Sequence, residues 1–265
     1  MNKKNTGSAK VMALCNQKGG VSKSASTVHL GAALARMGYK VLLIDADPQG
    51  STTKNLGFYD EKQFEATVKT VMELIINEED FDPSLGILHH EEGFDLLPSS
   101  IELAAMELTL VNIFNRERVL RDYISMVRLG YDFILIDSGP SLGMLPINVL
   151  AASDSVIIPV EADKTSVDGL QLLIKTVFKI RRQINYDLEI EGILISKVNK
   201  RTNYSKDVIE AITDSYGGNI HIFENYIPMS VRVAECPTFG CSIFKHAPNE
   251  EAARAYMELA KEVSA

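Results

Sequence analysis

A chain of 265 residues, 46% hydrophobic and 23% charged, carries enough apolar material for one large α/β domain with a buried core. Its formal net charge of −8 speaks against a simple nucleic-acid sponge, since sequence-independent DNA binding draws on clustered Lys and Arg, but a local basic face stays open. No apolar stretch has the length of a bilayer span, and Cys15, Cys236 and Cys241 form neither an even disulfide set nor a CxxC pair, which predicts reduced, structural thiols.

The polar opening, Met1 to Ala9, predicts a short flexible lead-in, followed by a single domain over 10–265 of a cytosolic protein. The apolar run Lys10 to Cys15 predicts a buried first strand. Directly after it stands Gln17-Lys18-Gly19-Gly20-Val21-Ser22-Lys23-Ser24, and then a helix-periodic segment from Lys23 to Met37 that Gly38 closes. A glycine-rich turn between strand and helix can be purely structural. Here, however, the lysine–hydroxyl order is that of a phosphate-binding loop. Loop N–H groups and the helix N-terminus stabilise phosphate, Lys23 adds a full charge, and Ser24 can place its hydroxyl on magnesium.

A second strand, Val41 to Ile44, runs into Asp45-Ala46-Asp47-Pro48-Gln49-Gly50, which puts two carboxylates at the carboxyl edge of a sheet. Alternation points Asp45 and Asp47 to one side. One could orient magnesium-bound water and the other polarise an attacking water; the plainer alternative is a pair of loop acids satisfied by backbone donors. From Phe58 to Leu110 the pattern is less regular, with a helix at Ala66 to Ile76, an acidic loop at Glu78 to Pro83, and His89-His90 as a surface turn rather than a zinc site. Arg116 to Leu129 predicts a helix ended by Gly130. The strand Phe133 to Ile136 then delivers Asp137 at its tip, where an acid can hold magnesium through water; the plainer alternative is again a capping acid. Further helices are predicted at Leu142 to Ala151, Val167 to Gln183, Tyr204 to Ser215 and Asn249 to Val263, with strands at Val156 to Val160 and Ile190 to Ile195. His29 and His246 read as helix-face and loop residues. The alternation implies right-handed βαβ units in a doubly wound, mostly parallel sheet with helices on both faces.

Lys18, Gly19 and Gly20 resemble the deviant Walker A motif of the ParA/MinD family. The likeness extends through Asn16 to Val21, Ile44 to Ser51, Ile136 to Gly143, Ile158 to Val160 and Ile227 to Glu235, which follow one another as in partition ATPases of the ParA/Soj type. It implies ATP and magnesium as cofactors, an ATP-dependent homodimer, non-specific DNA binding by that dimer, and slow ATP hydrolysis stimulated by a ParB-like or other adaptor protein. It implies a cytoplasmic, nucleoid-associated protein that segregates or positions DNA or another cargo.

By the same resemblance Lys18 contacts ATP in trans, Lys23 and Ser24 act in cis, Asp47 positions the water, and Asp137 supports magnesium in a metal set of Ser24, Asp45 and Asp137. Gly19, Gly20, Val21, Ser22, Lys23, Ser24 and Ala25 surround the phosphates, while Asn199, Pro228 and backbone near Met229 and Ser230 take adenine. DNA contact falls to Lys200, Arg201 and Arg232. Lys197 joins the first two in a basic cluster after a strand, whereas Lys175, Lys179, Arg181 and Arg182 read as solvated cations at a helix end.

Three residues depart from the family pattern. Ser22 stands where glycine is usual, Ala25 where threonine is usual, and Gly139 where proline is frequent. They motivate an alternative, a nucleotide-binding scaffold of the same fold with little or no hydrolysis. A mixed, acidic C-terminal helix argues against a MinD-like membrane switch. Cys236 and Cys241 lack the placement of a cluster-bridging reductase, and Tyr256 stands alone where a tyrosine kinase of this superfamily would carry a cluster.

Overall fold

Strand β1 (Lys10–Leu14) lies at the centre of the molecule because its residues are apolar on both sides: Val11 and Ala13 pack into one core, Met12 and Leu14 into the other. The computed structural model describes residues 7–141, 143–199 and 201–265, and for residues 164–168 the backbone only. Parallel neighbours of β1 are β5 (Phe133–Ser138) and β6 (Ser155–Glu161); β2 (Val41–Ala46) lies beyond β5, and β7 (Glu189–Ser196) beyond β6. The full order is β3-β4-β2-β5-β1-β6-β7.

Two strands come from the stretch whose sequence looked irregular. β4 (Phe94–Leu97) pairs parallel with β2, and β3 (Leu88–His90) pairs antiparallel with β4 at the edge. His89 and His90 thus belong to a strand and not to a surface turn. His89 Nδ1 is 2.7 Å from Asp95 Oδ1, and His90 is buried, its ring stacked 4.7 Å from Phe94.

Helices cover both faces. α3 (Val68–Ile76), α5 (Val119–Val127), α6 (Met144–Ala152), α7 (Lys164–Gln183) and α8 (Asn203–Tyr216) close one core; α1 (Lys23–Arg36), α9 (Val231–Phe239), α10 (Ile243–His246) and α11 (Glu251–Val263) close the other. Short helices α2 (Ser51–Asn55) and α4 (Met106–Thr109) fill connections. α9 escapes the sequence pattern because Pro237 sits in its last turn. Gly38 ends α1 with φ of 91°, as expected. Gly130 instead completes a short 3₁₀ turn after α5, and α5 begins at Val119 rather than Arg116 because Asn115, with φ of 53°, turns the chain first. The chain is already fixed at Ala9, which is buried and whose N–H donates to the Arg128 carbonyl at 3.0 Å. Among the described residues no helix is long and apolar enough to cross a membrane. All three cysteines are free and buried.

His29 lies on the inner face of α1, not on an open one. Its Nδ1 accepts the Ile243 N–H at 3.2 Å, and its ring centroid is 5.0 Å from that of Tyr256. Burial pushes the imidazole down to about 3, so it stays neutral. Because the unfolded chain binds this proton near pH 6.5 and the folded one does not, stability is full above pH 6.5 and falls as the solution is acidified toward pH 3. By pH 5 this group alone costs roughly 2 kcal/mol. His29→Gln keeps an acceptor for Ile243 and abolishes the titration. Urea unfolding at pH 5 and pH 8 should show wild type losing about 2 kcal/mol more than the variant.

Candidate functional site

The loop after β1 is tied down by its first residue. Asn16 is buried, donates from Nδ2 to the Pro159 carbonyl at 2.7 Å, and accepts the Lys18 N–H at 2.9 Å. Val21, fully buried, pins the middle of the loop from below, and its carbonyl accepts the Ser196 hydroxyl at 3.3 Å. The loop then opens onto a cleft of about 590 Å³ that Gly19, Gly20, Ser22, Lys23, Ser24 and Ala25 line on one side. Pro228, Met229, Ser230 and the α9 residues Val233, Ala234 and Pro237 form the opposite wall.

Ser22 caps α1 with φ of 67° and ψ of 24°, a left-handed conformation that disfavours a Cβ. Its carbonyl accepts the Ser26 N–H at 2.8 Å, the first turn of the helix. The serine therefore holds a backbone shape that glycine would adopt without strain. Lys23 is buried, and its ammonium, in the lining of the cleft, donates to the Lys18 carbonyl at 3.3 Å. Lys18 itself reaches sideways, with Nζ 2.6 Å from Asp163 Oδ2.

Three strand tips converge beneath the loop, since the register sets Asp137 beside both Leu14 and Asp45. Asp137 and Asp45 are fully buried, and burial raises both above the usual carboxylate range; for Asp137 the neighbouring Asp45 charge adds to the rise, while the Ser24 and Thr52 hydroxyls and Lys23 oppose it. Asp137 Oδ2 accepts the Thr52 hydroxyl at 2.8 Å, whereas its Oδ1 is buried without a hydrogen-bond partner. An orphaned carboxylate oxygen beneath the Ser24 hydroxyl matches what an oxygen-preferring cation needs.

Asp45 does something else. Its Oδ2 accepts both the N–H and the hydroxyl of Thr53, at 2.8 and 2.7 Å, and its Oδ1 accepts the Asp47 N–H at 3.3 Å. The carboxylate is consumed in fixing α2 and the loop before it, behind the cleft, so its expected place in the metal set gives way to the loop-acid alternative. Asp47 does line the cleft, with Oδ1 accepting the Gln49 N–H at 2.9 Å. A Cβ added to Gly139 would lie 3.5 Å from that same oxygen, so the loop after β5 abuts this carboxylate.

The remaining expectations divide. Pro228 lines the cleft; Asn199 is exposed outside it, its Oδ1 accepting the Arg201 N–H at 3.1 Å. Arg201 is exposed, and exposed Arg232 pairs with Glu235 on its own helix at 2.9 Å. A bridge between Val198 and Pro228 brings their segments alongside each other. Lys200 lies outside the described residues.

Lys197, which the sequence groups with Lys200 and Arg201 after a strand, lines the cleft and donates to the Gly20 carbonyl at 2.6 Å. Tyr256 was also missed as a cleft residue: it is buried on α11, with its hydroxyl 3.1 Å from Ser26 Oγ. In the sequence Tyr256 is only a solitary tyrosine within the predicted helix Asn249 to Val263, and nothing local distinguishes Lys197 from the basic residues that follow it. The walls are held together where Gly57 and Gly240, with φ of 84° and 59°, meet; a Cβ on Gly240 would fall 2.8 Å from the Gly57 Cα.

A glycine-rich loop from a central strand into a helix, a buried lysine, and an acid on the adjacent strand define a P-loop protein of the doubly wound α/β class. A family model described as an AAA domain matches residues 9–190. The chain is 39% identical to the sporulation initiation inhibitor protein Soj of Bacillus subtilis, covering 97% of this chain and 98% of that one. It is also 39% identical to the chromosome-partitioning ATPase Soj of Thermus thermophilus, covering 96% and 95%. Cobyrinic acid a,c-diamide synthase from Mycobacterium smegmatis, solved with a bound ATP analog and magnesium, superposes with a TM-score of 0.82 at 31% identity over 96% of this chain and 93% of that one. The chain belongs to the ParA/Soj-type partition ATPases.

The strain at Ser22 has a measurable consequence. Ser22→Gly removes a left-handed Cβ worth about 1–2 kcal/mol and adds unfolded-state entropy of roughly 0.5–1 kcal/mol. Nucleotide-free Ser22→Gly should therefore unfold at higher denaturant, by about 0.5–1 kcal/mol. An unchanged or lower midpoint contradicts the assignment of strain.

Proposed function

We propose that this chain is an ATP-dependent, dimerising partition ATPase whose ATP-bound pair holds DNA non-specifically and is reset by slow hydrolysis. The observation that carries this reading is the arrangement of loop lysine and Ser24 around Asp137, whose Oδ1 is buried without a hydrogen-bond partner. Magnesium ATP supplies the phosphoanhydride that water cleaves. Loop N–H groups and Lys23 hold its phosphates, and Ser24 and Asp137 take the metal side. Asp47, steadied by the Gln49 N–H, orients the attacking water. Pro228 and the neighbouring backbone enclose the base; Asn199 belongs to this set only if its turn swings inward.

Lys18 leaves Asp163 and reaches the nucleotide of a second copy, which makes the dimer a product of ATP binding. Arg201 and Arg232, with Lys200 beside them, give the pair a local cationic edge despite the acidic total. A ParB-like or other adaptor protein then accelerates turnover, in the cytoplasm and on the nucleoid. The cargo is DNA or another body carried on it.

Light scattering with magnesium and a non-cleavable ATP analogue tests the central step. Wild type should double in mass, while Lys18→Ala should bind nucleotide and stay monomeric. A wild type that remains monomeric at saturation refutes the mechanism. Lys23→Ala should lose nucleotide binding altogether.

Asp47→Ala should bind ATP normally but turn over at least about 100-fold more slowly. Ser22, strained against the phosphate loop, favours the scaffold alternative at this one point. Steady-state turnover with DNA and adaptor separates the two: a rate indistinguishable from that of Asp47→Ala leaves only the scaffold. Under the partition reading, Arg201→Ala and Arg232→Ala should each weaken DNA retention uniformly across sequences and flatten its salt dependence.

A further inference from the structure

The backbone around Lys197 is fixed from both sides. Immediately before it, the Ser196 hydroxyl donates to the carbonyls of Val21 and Val160, each at 3.3 Å. Immediately after it, the Val198 N–H donates to the Ile227 carbonyl at 3.0 Å, and the Val198 carbonyl accepts the Met229 N–H at 3.0 Å. Between these anchors Lys197 adopts φ of 53°, a conformation that side-chain-bearing residues avoid. Freedom is left only in the long side chain, which enters the cleft. Its ammonium lies 2.6 Å from the Gly20 carbonyl and 3.6 Å from Glu161 Oε2, with 38% of the side chain exposed.

A carbonyl meets the ammonium with a dipole only, whereas a phosphate oxygen brings a full opposite charge and so adds Coulomb attraction to the hydrogen bond. Gly20 also belongs to the loop whose N–H groups, on the reading given above, hold the phosphates. We propose that Lys197 is a phosphate-contacting residue of the cleft: when a nucleoside polyphosphate binds, its ammonium exchanges the Gly20 carbonyl for a phosphate oxygen and adds a second cation to that of Lys23. Glu161 acts as the counter-charge that holds the lysine at the cleft wall until then. The inference rests on the nucleotide-binding reading given above.

The test uses the full-length chain with ATP and ADP in the presence of magnesium, read by calorimetry. Lys197→Asn and Lys197→Gly both tolerate the left-handed backbone and remove the charge. Each should weaken both nucleotides about tenfold, equivalent to about 1.4 kcal/mol, and should flatten the dependence of affinity on salt. Lys197→Arg should recover most of the loss. Glu161→Gln should tighten binding a few-fold in the wild-type background and have no effect alongside Lys197→Asn.

If both neutral variants bind as wild type does, or if Arg performs no better than Asn, Lys197 makes no phosphate contact. The glycine variant guards against misfolding, since it relieves backbone strain while removing the same charge. If wild type itself binds neither nucleotide, the failure belongs to the nucleotide-binding reading and the inference falls with it.

Discussion

Two carboxylates buried side by side govern the construction of this site. The parallel register of β2 with β5 sets Asp45 against Asp137, and neither has water to solvate its charge. Desolvation of ionised groups is costly, and two like charges at this separation aggravate it. The fold answers by giving the acids different neighbours. Asp45 is supplied with three protein donors from Thr53 and Asp47. Asp137 receives Thr52 and the influence of Lys23 but keeps one oxygen unsatisfied. One member of the pair is thereby committed to structure, and the other retains the unmet demand that suits a cation.

That division explains why α2 exists although the sequence pattern predicts no helix there. Five residues make a poor helix by propensity, and Gly50 opens it in a left-handed conformation with no side-chain cap. Its N-terminal turn is instead held from outside by the Asp45 carboxylate, which draws Thr53 inward. Thr53 Oγ1 in turn accepts the Ser99 N–H at 3.0 Å, and the Ser99 hydroxyl donates to the Asp47 carbonyl at 2.8 Å. Asp47 is thus positioned by a chain of hydrogen bonds running from the sheet, through α2, to the segment after β4. A comparable device seats the loop after β5, where the Glu107 carboxylate on α4 accepts the N–H groups of Met144 and Leu145 at 2.7 and 3.1 Å and closes the start of α6.

The central strands, the phosphate loop and the long helices were legible because each writes its burial into a local pattern: continuous apolar runs, glycines before a lysine, and 3.6-residue periodicity. The edge hairpin β3–β4 was not legible. Leu88–His90 is short and half polar, and it becomes a strand only because Phe94 and Leu96 are already held against the sheet. The same reasoning applies to Asp45 and Asp47. Their position at the end of a predicted strand put both acids at the sheet edge, but alternation, which points both to one side, could not reveal that Thr53, eight residues from Asp45, would take the first behind the cleft while Asp47 faces it. Lys197 failed for the complementary reason. In sequence it groups with the basic Lys200 and Arg201 that follow it, and its direction is decided by a left-handed turn held between Ser196 and the bridge from Val198 to Pro228.

Among the described residues three lysines surround the phosphate loop, and each ammonium group has a protein acceptor: Lys23 the carbonyl of Lys18, Lys18 the carboxylate of Asp163, Lys197 the carbonyl of Gly20. An anion entering the cleft therefore exchanges acceptors instead of meeting bare charges, and its net gain is the difference between two hydrogen-bonded states. The exchange differs among the three. Releasing a carbonyl costs less than releasing a carboxylate in direct contact, so Lys23, and Lys197 with its Glu161 carboxylate 3.6 Å away, turn to a ligand in their own cleft more easily than Lys18 abandons Asp163. A second copy presenting its own polyphosphate would supply the competing anion that Lys18 requires. Under the proposed dimerisation, the acceptors set the order of the steps: occupancy of one cleft precedes the contact that crosses between copies.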